Sequence, residues 1–389
     1  MHRRDVQVLV ALVLAATALR PQLVGVGPLL PRISDDLGMR HWQAGLLGTI
    51  PVLCMGIFAL PAGKVASWIG TKRAVGTCVL VIGVFGLARA ASDSALVLIA
   101  LTIPVGIGMG LVGALVPVAA KERFSTRPAL ATGAYTTGIQ IGATAATLAA
   151  VPLAVGASWE LPLAVFSAAA IAGALWWLVR GPEAAPPVTP DAGHSLRAAA
   201  RRGEVWNIVA MFALMSVIYY GFVSWLPGAY VEHGWTESSA AAVLAVLTAA
   251  QIPGGMLVAA LADEHRRTFV LGFALTALAG TAGLAGVPGG AWLWSALVGL
   301  AIGALFPLVL TLPLDLEDHP AGVAAVIGVV LGVGYSVAAL APTALGALRD
   351  VTGTFAGALW SLVGVAVLLL AFSHRVMSRL PAHAAPARI

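Results

Sequence analysis

The 389 residues of the chain are 59% hydrophobic and only 10% charged. Soluble domains carry roughly 25% charged residues, so this chain lacks the polar surface of a soluble protein and lipid must cover much of it. The formal net charge of +5 does not indicate nucleic-acid binding, because the basic residues stand between apolar runs rather than on one module.

Twelve apolar runs are long enough to cross the ~30 Å hydrocarbon core of a bilayer. They predict an all-α, polytopic membrane protein with twelve transmembrane helices. The basic start of the chain precedes a run that no small-residue cleavage site closes, so the first helix is expected to be retained. The predicted spans are residues 6–30, 44–65, 74–89, 96–119, 129–155, 161–179, 205–230, 238–261, 268–285, 291–313, 322–348 and 355–372.

One connection is longer and more polar than the others. Residues 181–203 contain four prolines and three arginines, a composition typical of a flexible joint. This joint divides the spans six and six. It predicts an N-terminal six-helix bundle at 1–180, a cytoplasmic linker at 181–203 and a C-terminal six-helix bundle at 204–389.

The distribution of Lys and Arg orients the spans. If the amino terminus is cytoplasmic, 17 basic residues fall in inner loops and tails, four fall in outer connections and Arg20 lies within a span. Cytoplasmic loops carry the excess of positive charge, so the sequence predicts a multi-pass protein of the inner (cytoplasmic) membrane with both termini cytoplasmic. The outer four are Arg32, Arg40, Arg89 and Arg349; the inner 17 are Arg3, Arg4, Lys64, Lys72, Arg73, Lys121, Arg123, Arg127, Arg180, Arg197, Arg201, Arg202, Arg266, Arg267, Arg375, Arg379 and Arg388.

The two halves of the sequence repeat each other at a constant offset of 196 positions. Pro31, at the end of the first span, corresponds to Pro227 near the end of the seventh. Pro117, near the end of the fourth span, corresponds to Pro313 in the tenth. Two parallel, pseudo-symmetric six-helix halves are a transporter architecture, with the binding site expected at midplane between them.

Arg20 is the one basic residue in the interior of an apolar run. An arginine near the centre of a membrane span costs at least ~3 kcal/mol, so such residues usually face a bundle interior or a watery cavity. Three prolines and two glycines share the stretch 17–31 with it, and they loosen the helix. We interpret Arg20 as the positive anchor of a transport cavity; the alternative is a structural arginine that pairs with carbonyls of a neighbouring helix.

Few other polar residues lie near the presumed midplane. On the fifth span, Gly133, Thr137, Gln140 and Thr144 recur at steps of four, three and four residues and so share one helical face. A buried polar face needs partners or water, which favours a cavity, although hydrogen bonding between helices remains open for each residue. The predicted substrate-binding residues are Arg20, Gln22, Tyr135, Thr137, Gln140, Tyr219, Tyr220, Trp225, Gln251 and Tyr335.

The loop between the second and third spans carries a recognisable motif. Residues 63–73 read Gly-Lys-Val-Ala-Ser-Trp-Ile-Gly-Thr-Lys-Arg and resemble the signature loop of the major facilitator superfamily, whose fold the whole chain would then share. Ser67 stands at the family's aspartate position and Thr71 at a basic one, so half of the charge network is missing. The resemblance implies a cytoplasmic gate formed by Gly63, Gly70, Lys72, Arg73 and, in the second copy of the loop, Asp263; an ordinary basic inner loop is the alternative.

Four further stretches, residues 19–31, 117–124, 133–137 and 219–227, resemble the cyanate/2-nitroimidazole transporter branch of that superfamily. This resemblance implies a transporter of small, compact molecules that are often anionic or carry a nitro group. It does not identify the molecule.

The predicted spans contain no obvious residue that could couple transport to a source of energy. No Asp or Glu lies well inside a predicted span, whereas proton-driven transporters usually carry an intramembrane carboxylate or histidine. No Gly-Lys-Ser/Thr loop indicates ATP, and no Ser/His/Asp grouping or metal-ligand spacing indicates an enzyme. Facilitated diffusion, anion exchange and symport with a proton on the substrate or on an edge residue remain open, and no cofactor is expected.

These observations predict a secondary active or facilitative transporter rather than an enzyme. It would move a small polar or anionic solute, such as a cyanate-like anion, a small carboxylate or a nitro compound, by alternating access, with Arg20 as anchor. The expected partners are the substrate and the lipid bilayer, without nucleic acid, and the protein is expected to be a monomer. The alternatives are a drug or antibiotic exporter of the same fold, which would place an acidic residue in its cavity if the drug were cationic, and a membrane receptor, which would need no charged cavity residue.

Overall fold

The structure is a computed structural model that describes residues 3–124, 128–156, 158–182, 192–260, 265–317 and 319–379. Regular secondary structure in these ranges is helical throughout. The α-helices are α1 (Arg3–Thr17), α2 (Pro21–Val24), α3 (Leu30–Leu37), α4 (His41–Ala59), α5 (Ala62–Ile69), α6 (Thr71–Ala90), α7 (Ala95–Arg123), α8 (Pro128–Ala154), α9 (Glu160–Arg180), α10 (Ala192–Ala200), α11 (Gly203–Glu232), α12 (Glu237–Ala260), α13 (Arg266–Gly286), α14 (Ala291–Thr311), α15 (Pro320–Ala338), α16 (Leu340–Thr352) and α17 (Ala356–Arg379).

Twelve segments of the described chain are long and apolar enough to cross a membrane. Each coincides with one of the predicted apolar runs, and their ends differ by a few residues. The largest difference is in the first span, which continues to Leu37 rather than ending at residue 30. The prediction of an all-α polytopic membrane protein is therefore confirmed.

The first span is not one continuous helix, contrary to the simplest interpretation of residues 6–30. Helix α1 ends at Thr17, α2 begins at Pro21, and a 3-10 turn over Gly27–Leu29 precedes α3. Proline has no backbone N–H and clashes with the preceding turn, so Pro21 is tolerated only at the start of a new helix. The Arg20 carbonyl oxygen begins that new helix by accepting hydrogen bonds from the backbone N–H groups of Leu23 and Val24.

Two other spans are also divided. The second was predicted at 44–65, but α4 ends at Ala59 and the chain turns into α5 after Pro61. The eleventh was predicted as one helix over 322–348, but α15 and α16 meet at Ala339. Pro342 lies in the first turn of α16, where its missing N–H costs little because the first N–H groups of a helix have no intrahelical acceptor.

The chain divides into two compact units that do not follow the order of the sequence. The first contains Met1–Thr189, Tyr220–Ala245 and Tyr335–Ala358, and the second contains Pro190–Tyr219, Val246–Gly334 and Leu359–Ile389. The bundles predicted at 1–180 and 204–389 stay a prediction. Within the predicted linker at 181–203, α10 is helical and residues 183–191 lie outside the described part of the chain.

Each unit contains the same kind of close helix contact. In the first unit, a Cβ added to Gly110 of α7 would lie 2.5 Å from the Cys54 carbonyl oxygen of α4. In the second unit, a Cβ on Gly299 of α14 would lie 2.1 Å from the Leu247 carbonyl oxygen of α12. The second and fourth spans of each sequence half thus approach through glycine, as membrane helices commonly do, which agrees with the internal repeat.

Glycines also join distant parts of the sequence within the first unit. A Cβ on Gly27 would lie 2.0 Å from the Val223 carbonyl oxygen of α11, and one on Gly45 would lie 2.6 Å from the Pro342 carbonyl oxygen. The first and second spans therefore pack directly on the backbone of the seventh and eleventh. No larger residue fits at these two glycines without moving a helix.

An ion pair and a histidine–aspartate hydrogen bond reinforce this packing at the ends of the spans opposite the predicted cytoplasmic loops. Arg32 of α3 contacts Glu237 of α12 at 2.8 Å. His41 Nδ1 lies 2.7 Å from Asp350 Oδ1, and the backbone N–H of Trp42 donates to Asp350 Oδ2 at 3.0 Å. We name Arg32, Glu237, His41 and Asp350 the end clamp, since they hold these helix ends together.

We expect Gly27→Ala to lower the melting temperature of the detergent-purified protein, because the added methyl group would overlap the Val223 carbonyl and force a backbone shift that costs about 1–3 kcal/mol. Gly113→Ala on α7 is the matched control, because nothing lies within 4 Å of its added Cβ. Replacing an open helical glycine by alanine is neutral or stabilising. Equal melting temperatures for the two variants would contradict this packing.

Candidate functional site

Arg20 lies at the break in the first span. It is the N-cap residue of α2 and its side chain is partly buried. Its Nη1 donates a hydrogen bond to Tyr220 Oη of α11 at 3.0 Å, and its guanidinium carbon lies 5.9 Å from the centroid of the Tyr220 ring. The bond joins residues 200 positions apart, so Arg20 is held by the second half of the sequence.

Two more tyrosines complete this site. The Tyr220 and Tyr335 rings meet edge to face, with centroids 6.2 Å apart. The Tyr135 phenol of α8 lies within reach of the Arg20 charge. The structure therefore brings together four of the predicted residues, from the first, fifth, seventh and eleventh spans. We call Arg20, Tyr135, Tyr220 and Tyr335 the Arg20 cluster; all four belong to the first compact unit.

Small residues of α8 place the fifth span against the break. A Cβ on Gly142 would lie 2.3 Å from the Thr17 carbonyl oxygen, at the last residue of α1, and one on Gly138 would lie 3.1 Å from the Val13 carbonyl oxygen. These glycines form the contact face of α8. Thr137 and Gln140, from the predicted polar face, are partly buried beside it, and their binding role stays a prediction.

Gln22 points into the N-terminal helices instead of joining the Arg20 cluster by hydrogen bonds. Its side chain is 1% exposed, and its Nε2 donates to Ser167 Oγ of α9 at 2.8 Å. Gly86 of α6 leaves room for it, since a Cβ there would lie 2.7 Å from Gln22 Nε2. These contacts match the alternative of hydrogen bonding between helices, so they lend no support to substrate binding by Gln22.

Trp225 lies near the end clamp. Its Nε1 donates to the Pro342 carbonyl oxygen at 2.7 Å, and its ring centroid lies 5.7 Å from that of His41 and 5.3 Å from that of Phe355. The indole is 3% exposed. Trp225 therefore joins α11 to α16, and its contacts are those of a packing residue.

Tyr219 and Gln251 belong to the second compact unit. Tyr219 is buried and Gln251 is partly buried. The Gln251 Nε2 atom is buried and finds no hydrogen-bond acceptor among the described residues. The binding role of both residues stays a prediction.

The signature-like loop turns at Gly70. Gly70, between α5 and α6, has φ +85°. Residues with a Cβ atom rarely adopt this backbone conformation, and glycine adopts it readily. Ser67 Oγ donates to the Lys64 carbonyl oxygen of its own helix at 2.7 Å. The Lys72 carbonyl oxygen accepts the Trp177 Nε1–H at 3.0 Å.

The remaining predicted gate residues differ in their surroundings. Gly63 is buried and Arg73 is exposed. Asp263, in the second copy of the loop, lies outside the described residues. The gate therefore stays a prediction for all five residues, Gly63, Gly70, Lys72, Arg73 and Asp263.

Arg89 is buried, which its predicted place in an outer connection did not indicate. It was counted in an outer connection, but it lies in the last turn of α6 and is 0% exposed. The available signal was its position at the end of an apolar run that continues into Ala90 and Ala91. The end clamp was missed as well, because nothing in local sequence pairs His41 with Asp350.

The Arg20 cluster has the chemistry of an anion-binding site. A guanidinium offers paired donors that match carboxylate-like groups, phenol groups add donors and acceptors, and the aromatic rings supply flat apolar walls. No group of three or more His, Cys, Asp or Glu side chains that could hold a metal ion occurs in the part of the chain that the structure describes.

The sequence is similar to those of two bacterial transport proteins. The chain is 30% identical over 356 residues to the cyanate transport protein CynX of Escherichia coli (strain K12), covering 89% of this chain and 91% of that protein. It is 30% identical over 376 residues to the 2-nitroimidazole transporter of the same strain, covering 95% and 94%.

The fold resembles that of a solved transporter. A bacterial homolog of the human lysosomal transporter Spinster, in an inward-facing and unoccupied conformation, matches with a TM-score of 0.81 at 17% identity, covering 98% of both chains. A family model described as Major Facilitator Superfamily matches residues 9–342. The chain therefore belongs to the Major Facilitator Superfamily and is a multi-pass membrane transporter, not an enzyme.

Proposed function

We propose that this transporter moves a small polar or anionic solute by alternating access, with Arg20 as its main electrostatic contact. The solute classes are a cyanate-like anion, a small carboxylate or a compact nitro compound. The observation that carries the proposal is the Arg20–Tyr220 hydrogen bond of 3.0 Å at the break in the first span. This hydrogen bond places the Arg20 guanidinium next to the Tyr220 hydroxyl group.

The position of Arg20 supports binding rather than a purely structural role. Its side chain is partly exposed, whereas Tyr220 is 2% and Tyr335 is 9% exposed. The phenol rings thus form a buried wall behind a guanidinium that remains accessible. A charged donor in such low-dielectric surroundings binds an anion more strongly than it would in water.

The size and charge of the solute follow from the residues of the cluster and from the relatives. One guanidinium and three phenols offer few polar groups, which suits a compact solute with one charged or nitro group. The curated relatives are named for cyanate and for 2-nitroimidazole, two small molecules of this description.

The end clamp supports alternating access. Arg32 and His41 come from the first six spans, and Glu237 and Asp350 come from the last six. Opening that end of the first unit would require these partly exposed pairs to separate. Exposed ion pairs are worth only about 0–1 kcal/mol each, so the clamp can open and close at little cost.

The protein is located in the inner membrane and acts as a single chain. The 17-to-four distribution of basic residues supports an inner-membrane protein with both termini cytoplasmic. The working unit is a monomer whose partners are its small-molecule substrate and the surrounding lipid.

We expect Arg20→Ala to weaken binding of an anionic solute by roughly 10- to 100-fold, since hydrogen bonds to charged groups contribute about 1.5–3 kcal/mol. Binding of cyanate and of acetate to purified protein, measured by calorimetry or thermal shift, tests this expectation. Tyr220→Phe keeps the ring but removes the hydroxyl group, so it should cause a smaller loss. Arg375→Ala, at an exposed site on α17, is the matched control and should bind like the wild type.

Folding of each variant is checked by its size-exclusion profile in detergent. Affinity retained in a folded Arg20→Ala protein would exclude the anchor role. Loss of affinity in Arg375→Ala to the same extent would mean that net charge alone is responsible.

Uptake of a permanently charged anion should respond little to a pH gradient, because the predicted spans hold no carboxylate well inside them and proton-driven transporters usually carry one. Nitrate uptake into proteoliposomes, with the membrane potential clamped by potassium and valinomycin, measures this dependence. Strong proton-driven accumulation would contradict uncoupled transport. His41→Gln then shows whether the ionisable pair of His41 and Asp350 carries the proton.

A further inference from the structure

A second arginine is buried beside the broken first span, away from the hydrogen bonds of the Arg20 cluster. Arg89 lies in the last turn of α6 and is 0% exposed. Its Nη1 donates to the Gln22 carbonyl oxygen of α2 at 3.3 Å. The short helix α2 therefore has Arg20 at its start and Arg89 against its second residue.

The Arg89 guanidinium has a pair of buried donors that no described residue satisfies. Its Nε and Nη2 atoms are inaccessible to solvent and have no hydrogen-bond acceptor in the described part of the chain. Nε–H and the adjacent Nη2–H point in parallel along one edge of the planar group. This is the edge with which arginine binds carboxylates and other anions through two hydrogen bonds.

The positive charge of Arg89 also needs compensation. A guanidinium does not lose its proton in proteins, and an uncompensated buried charge costs several kcal/mol. No carboxylate forms an ion pair with Arg89 among the described residues; Glu160, at the start of the adjacent helix α9, has a buried Oε2 without a hydrogen-bond donor but does not reach it. The Gln22 carbonyl supplies a dipole and no negative charge.

We propose that the Nε–Nη2 edge of Arg89 binds a resident small monovalent anion of the size of chloride or nitrate. A single positive charge calls for a single negative charge, and complete burial restricts the site to a small ion. A water molecule could accept the hydrogen bonds, but it would leave the charge uncompensated. The anion would stabilise the contact of Arg89 with the Gln22 carbonyl of α2, independently of substrate binding at Arg20.

The test is the anion dependence of stability in purified, detergent-solubilised protein. The melting temperature is measured in gluconate at constant ionic strength while chloride or bromide replaces gluconate; nitrate is left out because it is also a candidate solute for the Arg20 cluster. A ligand that binds only the folded state stabilises it by an amount that grows with the logarithm of the ligand concentration above the dissociation constant. We expect a concentration-dependent rise of at least about 3 °C in the wild type, and the absence of any rise would overturn the proposal.

Matched variants locate the effect. Arg89→Met replaces the charged group by an apolar one of similar length, and should melt at or above the wild-type temperature in gluconate while losing the response to anions, because replacing a buried charge by an apolar group is often neutral or stabilising. Arg20→Gln removes the other arginine beside α2 and should keep the response. A response that persists in Arg89→Met, or that disappears only in Arg20→Gln, would assign the anion to another site and overturn the proposal.

A crystallographic measurement on the wild type covers the case in which Arg89→Met does not fold. Crystals grown or soaked in bromide should show an anomalous peak within hydrogen-bond distance of Arg89 Nε and Nη2. An ordered water without anomalous signal at that edge, or a shifted Glu160 carboxylate in its place, would overturn the proposal. Failure here would leave substrate binding at Arg20 unaffected, since that is measured with the Arg20 and Tyr220 variants.

Discussion

The structure depends on one constraint: the hydrocarbon core contains no water to satisfy a backbone group or a charge. Polar groups that lie there must find partners within the protein. The first span meets this constraint by breaking at Arg20. Proline at position 21 ends one helix and starts another, and the guanidinium at the break finds the Tyr220 hydroxyl. The break thereby places a cation beside aromatic rings within a predominantly apolar span.

Two arginines adjoin the same short helix but occupy different environments. Arg20 remains partly exposed and is bonded to the second half of the sequence, whereas Arg89 is fully buried and contacts the Gln22 carbonyl. A solute that must bind and leave requires the first kind of environment. A resident ion that only compensates charge suits the second.

Glycine decides how closely the helices approach. Gly27 and Gly45 let the first and second spans touch the backbone of the seventh and eleventh, and Gly142 lets the fifth span reach the carbonyl at the end of α1. In lipid no hydrophobic effect drives helices together, so such contacts rely on close packing and hydrogen bonds. These close approaches bring together spans that carry the Arg20 cluster, in which Arg20 bonds to Tyr220 and the Tyr220 ring meets that of Tyr335.

The sequence by itself determined the number of spans, their approximate ends and the family, because apolar length, proline position and basic loops are local properties of the chain. It also singled out Arg20, Tyr135, Tyr220 and Tyr335 among ten predicted binding residues, and their binding role stays a prediction. Tertiary structure alone separated those residues from Gln22 and Trp225, which are equally polar in the sequence but bond to Ser167 and Pro342. It likewise buried Arg89 and paired His41 with Asp350. The physical reason is that the direction of a side chain depends on which distant helix lies opposite it, and residues hundreds of positions apart carry no local sign of that contact.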